Sequence, residues 1–388
     1  MAELRHMKAL VEPGRKLTND ELSRYSRHLL LPNVDLVGQE RLINAKVLCI
    51  GAGGLGSPTI LYLAAAGVGT IGILDFDQVD LTNLQRQIIH TQNDVGKSKA
   101  RSAAEKASTL NPSIYLNLHE VKLDELNALE ILSGYDVIVD CTDNFATRYL
   151  INDACALLEK PYVWGSIYRF DGQVSTFWSK HGPCYRCLHP TPPPVGAVPS
   201  CAEGGVLGSL CGVIGSIQST EVIKLITGIG EPLLGQLLLH DSLDNSFKKV
   251  KIEKRPSCEI CNGSQTALLN SYESFCNGNY VNYGNLGIEV AQFQEMMAQN
   301  TEFFLVDVRE PEEFQAGYID GALLLPVAKF VDGSALKLLP RDKEIVLYCR
   351  SGVRSANCLS IIQNAGFINS THLLGGILAW NKVFQQKN

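Results

Sequence analysis

The stretch KVLCIGAGGLGSPTILYLAAAGVGTIGILD, residues 46–75, decides the fold. Lys46–Ile50 and Thr70–Leu74 are unbroken apolar runs of strand length, the pattern of parallel strands covered on both faces. Between them lie the turn Gly51-Ala52-Gly53-Gly54-Leu55-Gly56 and a helically spaced segment, Leu55–Ala66, that stops at Gly67. Strand, glycine-rich turn, helix and strand predict a βαβ unit of an open, doubly wound, Rossmann-like α/β sheet. Glycines let such a turn bend sharply and approach a phosphate, whose charge the helix N-terminus favours. Asp75, 24 residues after Gly51, stands where a ribose-binding carboxylate is expected.

Working outward, Tyr135–Asp140 reads as a third strand. After Pro161 the runs shorten to Tyr162–Ile167, Gln173–Trp178, Leu237–His240 and Ser246–Ile252, antiparallel strands that extend the sheet or pack beside it. The polar, Asn/Gly/Ser-rich stretch beginning near residue 262 has linker composition. From Leu286 a second α/β pattern begins, with strands Phe303–Val308 and Glu344–Tyr348 and helices Gln292–Ala298 and Val353–Asn364. The expected organisation is a first domain over 1–265, a linker over 266–285 and a small α/β domain over 286–388.

Composition narrows the function. With 45% hydrophobic and 19% charged residues, the chain of 388 residues is globular and long enough for two cores. A net charge of −6 argues against a general nucleic-acid or membrane-surface binder. The N-terminal MAELRHMKALVEPGRKL lacks the apolar core of a secretory signal. Residues 204–226 are broken by polar and charged residues and read as a Gly-rich loop feeding a buried helix. A cytoplasmic enzyme is expected. Twelve cysteines then point to metal or sulfur chemistry rather than to disulfides. Cys49, Cys141 and Cys155, in apolar surroundings, read as small core residues.

The company of the turn is not that of a dehydrogenase. Thr82-Asn83-Leu84-Gln85-Arg86-Gln87 places an amide and a guanidinium after the second strand, Lys99 follows on a polar helix, and Asp140-Cys-Thr-Asp143-Asn144 closes the third strand. Asn and Arg donors, a Lys cation and a carboxylate for Mg²⁺ suit a pyrophosphate leaving group, which hydride transfer does not need. Singly, each has a plainer reading, Lys99 on a solvated face or Asp143 as a helix cap.

Over roughly residues 20–265 the chain resembles the MoeB/ThiF-type adenylyltransferases of molybdopterin-synthase and thiamine biosynthesis, relatives of ubiquitin-activating enzymes. The resemblance rests on Arg24-Tyr-Ser-Arg27, the Gly51–Gly56 turn, Asp75, Asn83-Leu-Gln-Arg86-Gln, Lys99 and Thr142-Asp143-Asn144. It implies that Gly54, Asp75, Asn83, Arg86, Lys99 and Asn144 bind ATP, that Asp143 serves magnesium, and that Arg27 reaches the phosphates of a neighbouring subunit in a homodimer. Thr82 stands where many relatives have Ser, and keeps the hydroxyl.

Cys184-Tyr-Arg-Cys187 and Cys258-Glu-Ile-Cys261 are two Cys-x-x-Cys knuckles that together complete a closed, structural zinc–thiolate site. The resemblance implies the same Zn²⁺. Cys201 lies in a Pro/Gly-rich loop suited to a thiol that must approach an acyl group. The family implies that it forms a thioester or resolves a disulfide; the plainer reading is an ordinary loop cysteine.

Cys349-Arg350-Ser351-Gly352-Val353-Arg354 follows a buried strand and opens a helix, so the helix dipole, converging amides and two arginines are expected to stabilise a thiolate. A phosphatase loop needs five residues between Cys and Arg; here four intervene, a smaller cradle that fits a persulfide sulfur. With Asp307-Val-Arg309-Glu310-Pro-Glu-Glu-Phe314, Gly321-Ala322 and Gly375-Gly376-Ile-Leu-Ala-Trp380, residues 286–388 resemble a rhodanese sulfurtransferase domain. That implies a persulfide on Cys349. Tyr318 departs from the histidine common in relatives, and Cys358 reads as core.

The two resemblances together imply ATP-dependent adenylation of the C-terminal Gly-Gly of a ubiquitin-fold sulfur carrier, then sulfur transfer to a thiocarboxylate. The sulfur would come from a cysteine desulfurase or thiosulfate. The competing expectations are a nicotinamide-dependent oxidoreductase fused to a sulfurtransferase, and a non-catalytic scaffold for a ubiquitin-fold partner.

Overall fold

A computed structural model describes residues 8–193, 204–263, 268, 272–276, 287–298, 302–350 and 352–385; Cys201 lies outside them. The described residues form two compact units, the first reaching Cys276.

The first unit is an eight-stranded sheet of β1 (Lys46–Ile50), β2 (Thr70–Leu74), β3 (Tyr115–His119), β4 (Val137–Asp140), β5 (Tyr162–Tyr168), β6 (Asp171–Phe177), β7 (Gln236–Asp241) and β8 (Ser246–Lys251). Their spatial order is β3-β2-β1-β4-β5-β6-β7-β8. The first five strands are parallel, and each of the last three runs antiparallel to its neighbours. The chain works outward from β1 to β3 and then crosses to β4, so the crevice beyond β1 and β4 is the topological switch point where such sheets bind ligands. Alternation along β1 and β4 splits the core. Val47, Cys49, Val137 and Val139 face one apolar layer, while Leu48, Ile50 and Ile138 face the other. Burial pushes the Cys49 thiol up to about 12, as an inert core residue requires.

The helix Gly208–Thr227 has the length and apolar composition to cross a membrane, yet 61% of its most apolar window is buried inside the unit. It packs on the helix Gly56–Ala66 and on β5 and β6. The apolar run read from the sequence is thus the core helix expected.

Strand β3 was not anticipated. It is an edge strand in which Tyr115, Asn117 and Leu118 are exposed, so its sequence carries no apolar run. Within the stretch expected to be linker, Tyr272–Cys276 forms a helix. Its anchor is remote in sequence: the buried Tyr272 hydroxyl donates to Asp153 Oδ2 at 2.7 Å. The same carboxylate accepts from Arg186 Nε at 2.8 Å and Nη2 at 2.7 Å, and the Arg186 guanidinium lies 5.0 Å from the Tyr149 ring centre and 4.5 Å from that of Phe275.

The second unit is a five-stranded parallel sheet in the order β11-β10-β12-β13-β9, made of β9 (Gly287–Ile288), β10 (Phe303–Asp307), β11 (Leu323–Leu324), β12 (Glu344–Tyr348) and β13 (Ser370–Leu373). Apolar clusters cover both faces, and Cys358 is buried in one of them, as read. Tyr318 stacks on Phe314 with ring centres 4.3 Å apart.

The Asp153 cluster yields a stability prediction. Asp153→Ala strands a guanidinium whose side chain is only 11% exposed. Urea unfolding followed by tryptophan fluorescence is expected to show a loss of about 3 kcal/mol or more. A change under about 1 kcal/mol would mean the ion pair is dispensable.

Candidate nucleotide site, thiolate cluster and sulfur loop

The first site gathers at the C-terminal ends of β2, β1 and β4. The turn after β1 tolerates only glycine at Gly56, where an added Cβ would stand 2.0 Å from the Gly51 carbonyl oxygen. A Cβ on Gly54 would meet Cys211 Sγ at 2.7 Å and Arg86 Cγ at 3.6 Å, so Arg86 lies directly against the turn. Asp75, at the end of β2, accepts the Ala52 amide on Oδ2 at 2.8 Å and the Asp77 amide on Oδ1 at 2.9 Å. Burial raises its pKa, against the pull of the Lys99 charge and these two amides.

Lys99 opens the helix Lys99–Leu110 and is buried, not on a solvated face; its ammonium donates to Asp77 Oδ2 at 2.8 Å. In the loop after β2, Asp80 Oδ1 accepts from the Thr82 amide at 2.8 Å and hydroxyl at 2.6 Å, and Asn83 Oδ1 accepts the Asp80 amide at 3.0 Å. Arg86 Nη1 donates to the Thr82 carbonyl at 3.2 Å. Leu84 is half-buried and Gln85 exposed. The backbone of the motif is therefore fixed by its own side chains.

After β4, Asn144 rather than Asp143 caps the helix Phe145–Leu157, accepting the Thr147 amide at 2.9 Å. This leaves the exposed Asp143 carboxylate without a hydrogen bond among the described residues. Asp140 fixes the loop from below, accepting from the Thr142 amide at 2.9 Å and hydroxyl at 2.7 Å, while Arg148 Nη2 donates to the Thr142 carbonyl at 3.1 Å. Arg27 is exposed, and no described contact ties it to the other site residues of its own chain. Sequence reasoning passed over Asp77, His90 and Arg148, whose partners are set by the fold and carry no motif.

The four knuckle cysteines converge. Cys184 Sγ lies 3.9 Å from Cys187 Sγ and 3.6 Å from Cys258 Sγ, and Cys187 Sγ lies 3.5 Å from Cys261 Sγ. All four sulfurs lie within 4.8 Å of one another. Disulfides would need about 2.05 Å. A tetrahedron of zinc–sulfur bonds of about 2.3 Å has sulfur–sulfur edges of about 3.8 Å, which these separations match.

In the second unit Cys349 ends the buried run of β12 and is itself fully buried. Its sulfur accepts the Gly352 amide at 3.2 Å, with Gly352 at φ +95°, a backbone that favours glycine. The Ser355 hydroxyl lies 3.6 Å from the sulfur and 3.4 Å from His372 Nδ1, two neighbours the sequence did not advertise. The Gly375-Gly376 motif braces the loop from the other side. The Ile377 amide donates to the Cys349 carbonyl at 2.8 Å, and a Cβ on Gly376 would stand 2.3 Å from that oxygen. Arg354 Nη1 and Nη2 donate to Glu313 at 2.7 and 2.8 Å. Burial opposes the charge on Glu313, but Arg354 holds its carboxyl below the usual range.

Cys258→Ser is expected to drop the zinc content of the purified chain from about one ion to well below one, and to lower the thermal midpoint. Elemental mass spectrometry with calorimetry checks both. Full zinc retention would break the assignment of Cys258 as a ligand.

The profile of the ThiF family matches residues 25–260, and that of the rhodanese-like domain matches residues 289–383. The chain is 51% identical over 391 residues to a Mycobacterium tuberculosis protein named probable adenylyltransferase/sulfurtransferase MoeZ, covering 97% of each chain. It is 41% identical over 393 residues to the adenylyltransferase and sulfurtransferase MOCS3 of Drosophila yakuba, covering 96% of this chain and 86% of the relative. The crystal structure of E. coli MccB with ATP superposes with a TM-score of 0.56 at 24% identity, over 64% of this chain and 77% of that one, a likeness of fold alone. The chain thus belongs to the ThiF family, carries a rhodanese-like domain after the family's own, and is an adenylyltransferase and sulfurtransferase.

Proposed function

We propose that the enzyme activates the C-terminal Gly-Gly carboxylate of a ubiquitin-fold sulfur-carrier protein with ATP and converts it to a thiocarboxylate. The observation that carries this is the pairing, in one chain, of a glycine-rich turn held by Asp75, which the Asp77 amide links to the Lys99–Asp77 pair, with a cysteine whose sulfur accepts an amide at a helix N-terminus.

In the first step a carrier carboxylate oxygen attacks the α-phosphorus of ATP, the bond to the β-phosphate oxygen breaks, and pyrophosphate leaves. Gly54, Asp75, Asn83, Arg86, Lys99 and Asn144 bind the nucleotide, with Thr82, Leu84 and Gln85 shaping the loop that presents Arg86. Arg86 and Lys99 supply positive charge where the leaving pyrophosphate develops negative charge. Magnesium, when bound, neutralises phosphate charge, and the uncommitted Asp143 carboxylate is the group that fits it. Arg27, exposed and with no hydrogen bond or ion pair among the described residues, reaches the nucleotide of a second copy in a homodimer.

In the second step the terminal sulfur of a Cys349 persulfide attacks the acyl carbon and AMP leaves, giving an acyl disulfide. A thiol, from Cys201 or an external donor, then attacks the Cys349 sulfur. The thiocarboxylate departs and the disulfide left behind is reduced by external thiol. Cys184, Cys187, Cys258 and Cys261 hold a structural zinc that takes no part in these steps. The persulfide is loaded from thiosulfate or by a cysteine desulfurase. The eleven described cysteines are all free of disulfides, which suits a reducing compartment such as the cytoplasm.

Intact-mass analysis of a Gly-Gly-ending carrier incubated with enzyme, Mg·ATP, thiosulfate and reductant is expected to show a gain equal to replacing one oxygen by sulfur, dependent on ATP. Cys349→Ala abolishes that gain and leaves carrier-dependent ATP–pyrophosphate exchange within about two-fold of the parent. Lys99→Ala lowers the exchange rate by roughly 10²-fold or more. Loss of exchange in folded Cys349→Ala would defeat the division of labour between the domains.

A further inference from the structure

The Ala52 peptide is held at both ends. Its N–H donates to Asp75 Oδ2 at 2.8 Å, and its carbonyl lies 3.0 Å from His90 Nε2. A carbonyl can only accept, so Nε2 carries the proton. In the neutral ring Nδ1 is then an acceptor, and the group facing it, at 2.8 Å, is the Ser102 hydroxyl. Burial lowers the His90 pKa and the Lys99 charge adds to this, against the Ala52 carbonyl, so the ring stays neutral. His90 is 4% exposed and Ser102 fully buried.

These bonds close a circuit. Asp75 holds Ala52, Ala52 is held by His90, and His90 by Ser102, one turn along the helix that Lys99 opens. Lys99 donates to Asp77, whose amide returns to Asp75. The turn, the carboxylate and the cation are thereby locked into one frame. His90 is the member that acts on the turn from the side opposite Asp75.

The consequence lies in the next peptide plane. No peptide bond in the structure is cis, so the Gly53 N–H points opposite to the Ala52 carbonyl. With that carbonyl pinned to the buried His90, the Gly53 amide points away from the His90 ring, and it has no acceptor among the described residues. We propose that His90, held by Ser102, is a positioning residue for adenylation: it fixes the Ala52–Gly53 peptide so that the Gly53 amide faces the nucleotide phosphates. Without it, the glycine on one side of this plane leaves the peptide free to flip. The inference rests on the reading that this turn holds the nucleotide.

The test uses the full chain and three variants. His90→Phe keeps ring volume and removes the donor; His90→Gln restores an N–H near the Nε2 position; Ser102→Ala removes the group that fixes the tautomer. Titration with α,β-methylene-ATP and ATP–pyrophosphate exchange give the affinity and the KM–kcat split. His90→Phe is expected to weaken analogue binding and raise the KM for ATP roughly ten-fold, with kcat within about three-fold. His90→Gln recovers most of the loss, and Ser102→Ala lies between. Nitrogen-15 NMR of the parent should show His90 as the Nε2–H tautomer at neutral pH, a readout that does not depend on any variant folding. Analogue affinity unchanged in His90→Phe, no rescue by His90→Gln, or an Nδ1–H tautomer would each overturn the role of His90. Failure of the parent itself to bind the analogue would instead overturn the nucleotide reading on which it rests.

Discussion

The Asp75 carboxylate is the constraint on which the adenylating half depends. One oxygen takes an amide from the turn after β1 and the other takes an amide from the loop after β2. Two neighbouring parallel strands end in loops that sheet hydrogen bonding does not reach, and a buried carboxyl group joins them. Burial raises its pKa, and the Lys99 charge together with two amides opposes that rise only in part. The same group that is read as a ribose ligand therefore organises the glycine-rich turn and the loop after β2. A substitution at Asp75 would disturb both, so loss of activity there does not separate binding from folding.

Legibility in the sequence followed burial and periodicity. Strands β1, β2 and β4 lie inside the sheet and are covered on both faces, so they read as apolar runs; only the start of β4 was placed two residues early. Edge strand β3 exposes Tyr115, Asn117 and Leu118 and packs Leu116 against the core, so its five residues form no apolar run. Strands β9 and β11, of two residues each, are too short to carry a pattern. The helix Tyr272–Cys276 exists because Tyr272 reaches Asp153, 119 residues away, and no local signal encodes that partner.

The candidate sites divide in the same way. Chemistry that depends on fixed spacing was readable: the glycine turn, the paired knuckles and the cysteine opening a helix. Chemistry that depends on what the fold brings near was not. The pairing of Arg354 with Glu313, 41 residues earlier, carried no local signal. Lys99 was read as a nucleotide-binding cation with a solvated face as the plainer alternative, and its pairing with Asp77 carried no signal in the sequence. His90 carried no motif of its own, since its role follows from meeting a single carbonyl.

The thiolate cluster gains a purpose from its neighbours. Arg186 lies between the two cysteines of the first knuckle and is bound by Asp153, and Asn152 Oδ1 accepts the Tyr185 amide at 2.8 Å. Asn152 and Asp153 belong to the helix Phe145–Leu157, whose other end is capped by Asn144 beside Asp143. A closed four-sulfur site can supply folding free energy locally, where no disulfide does so among the described cysteines. A zinc ion held by these four sulfurs would fix the knuckle, and Asn152 and Asp153 tie the knuckle to the C-terminal half of the helix that Asn144 caps at its other end.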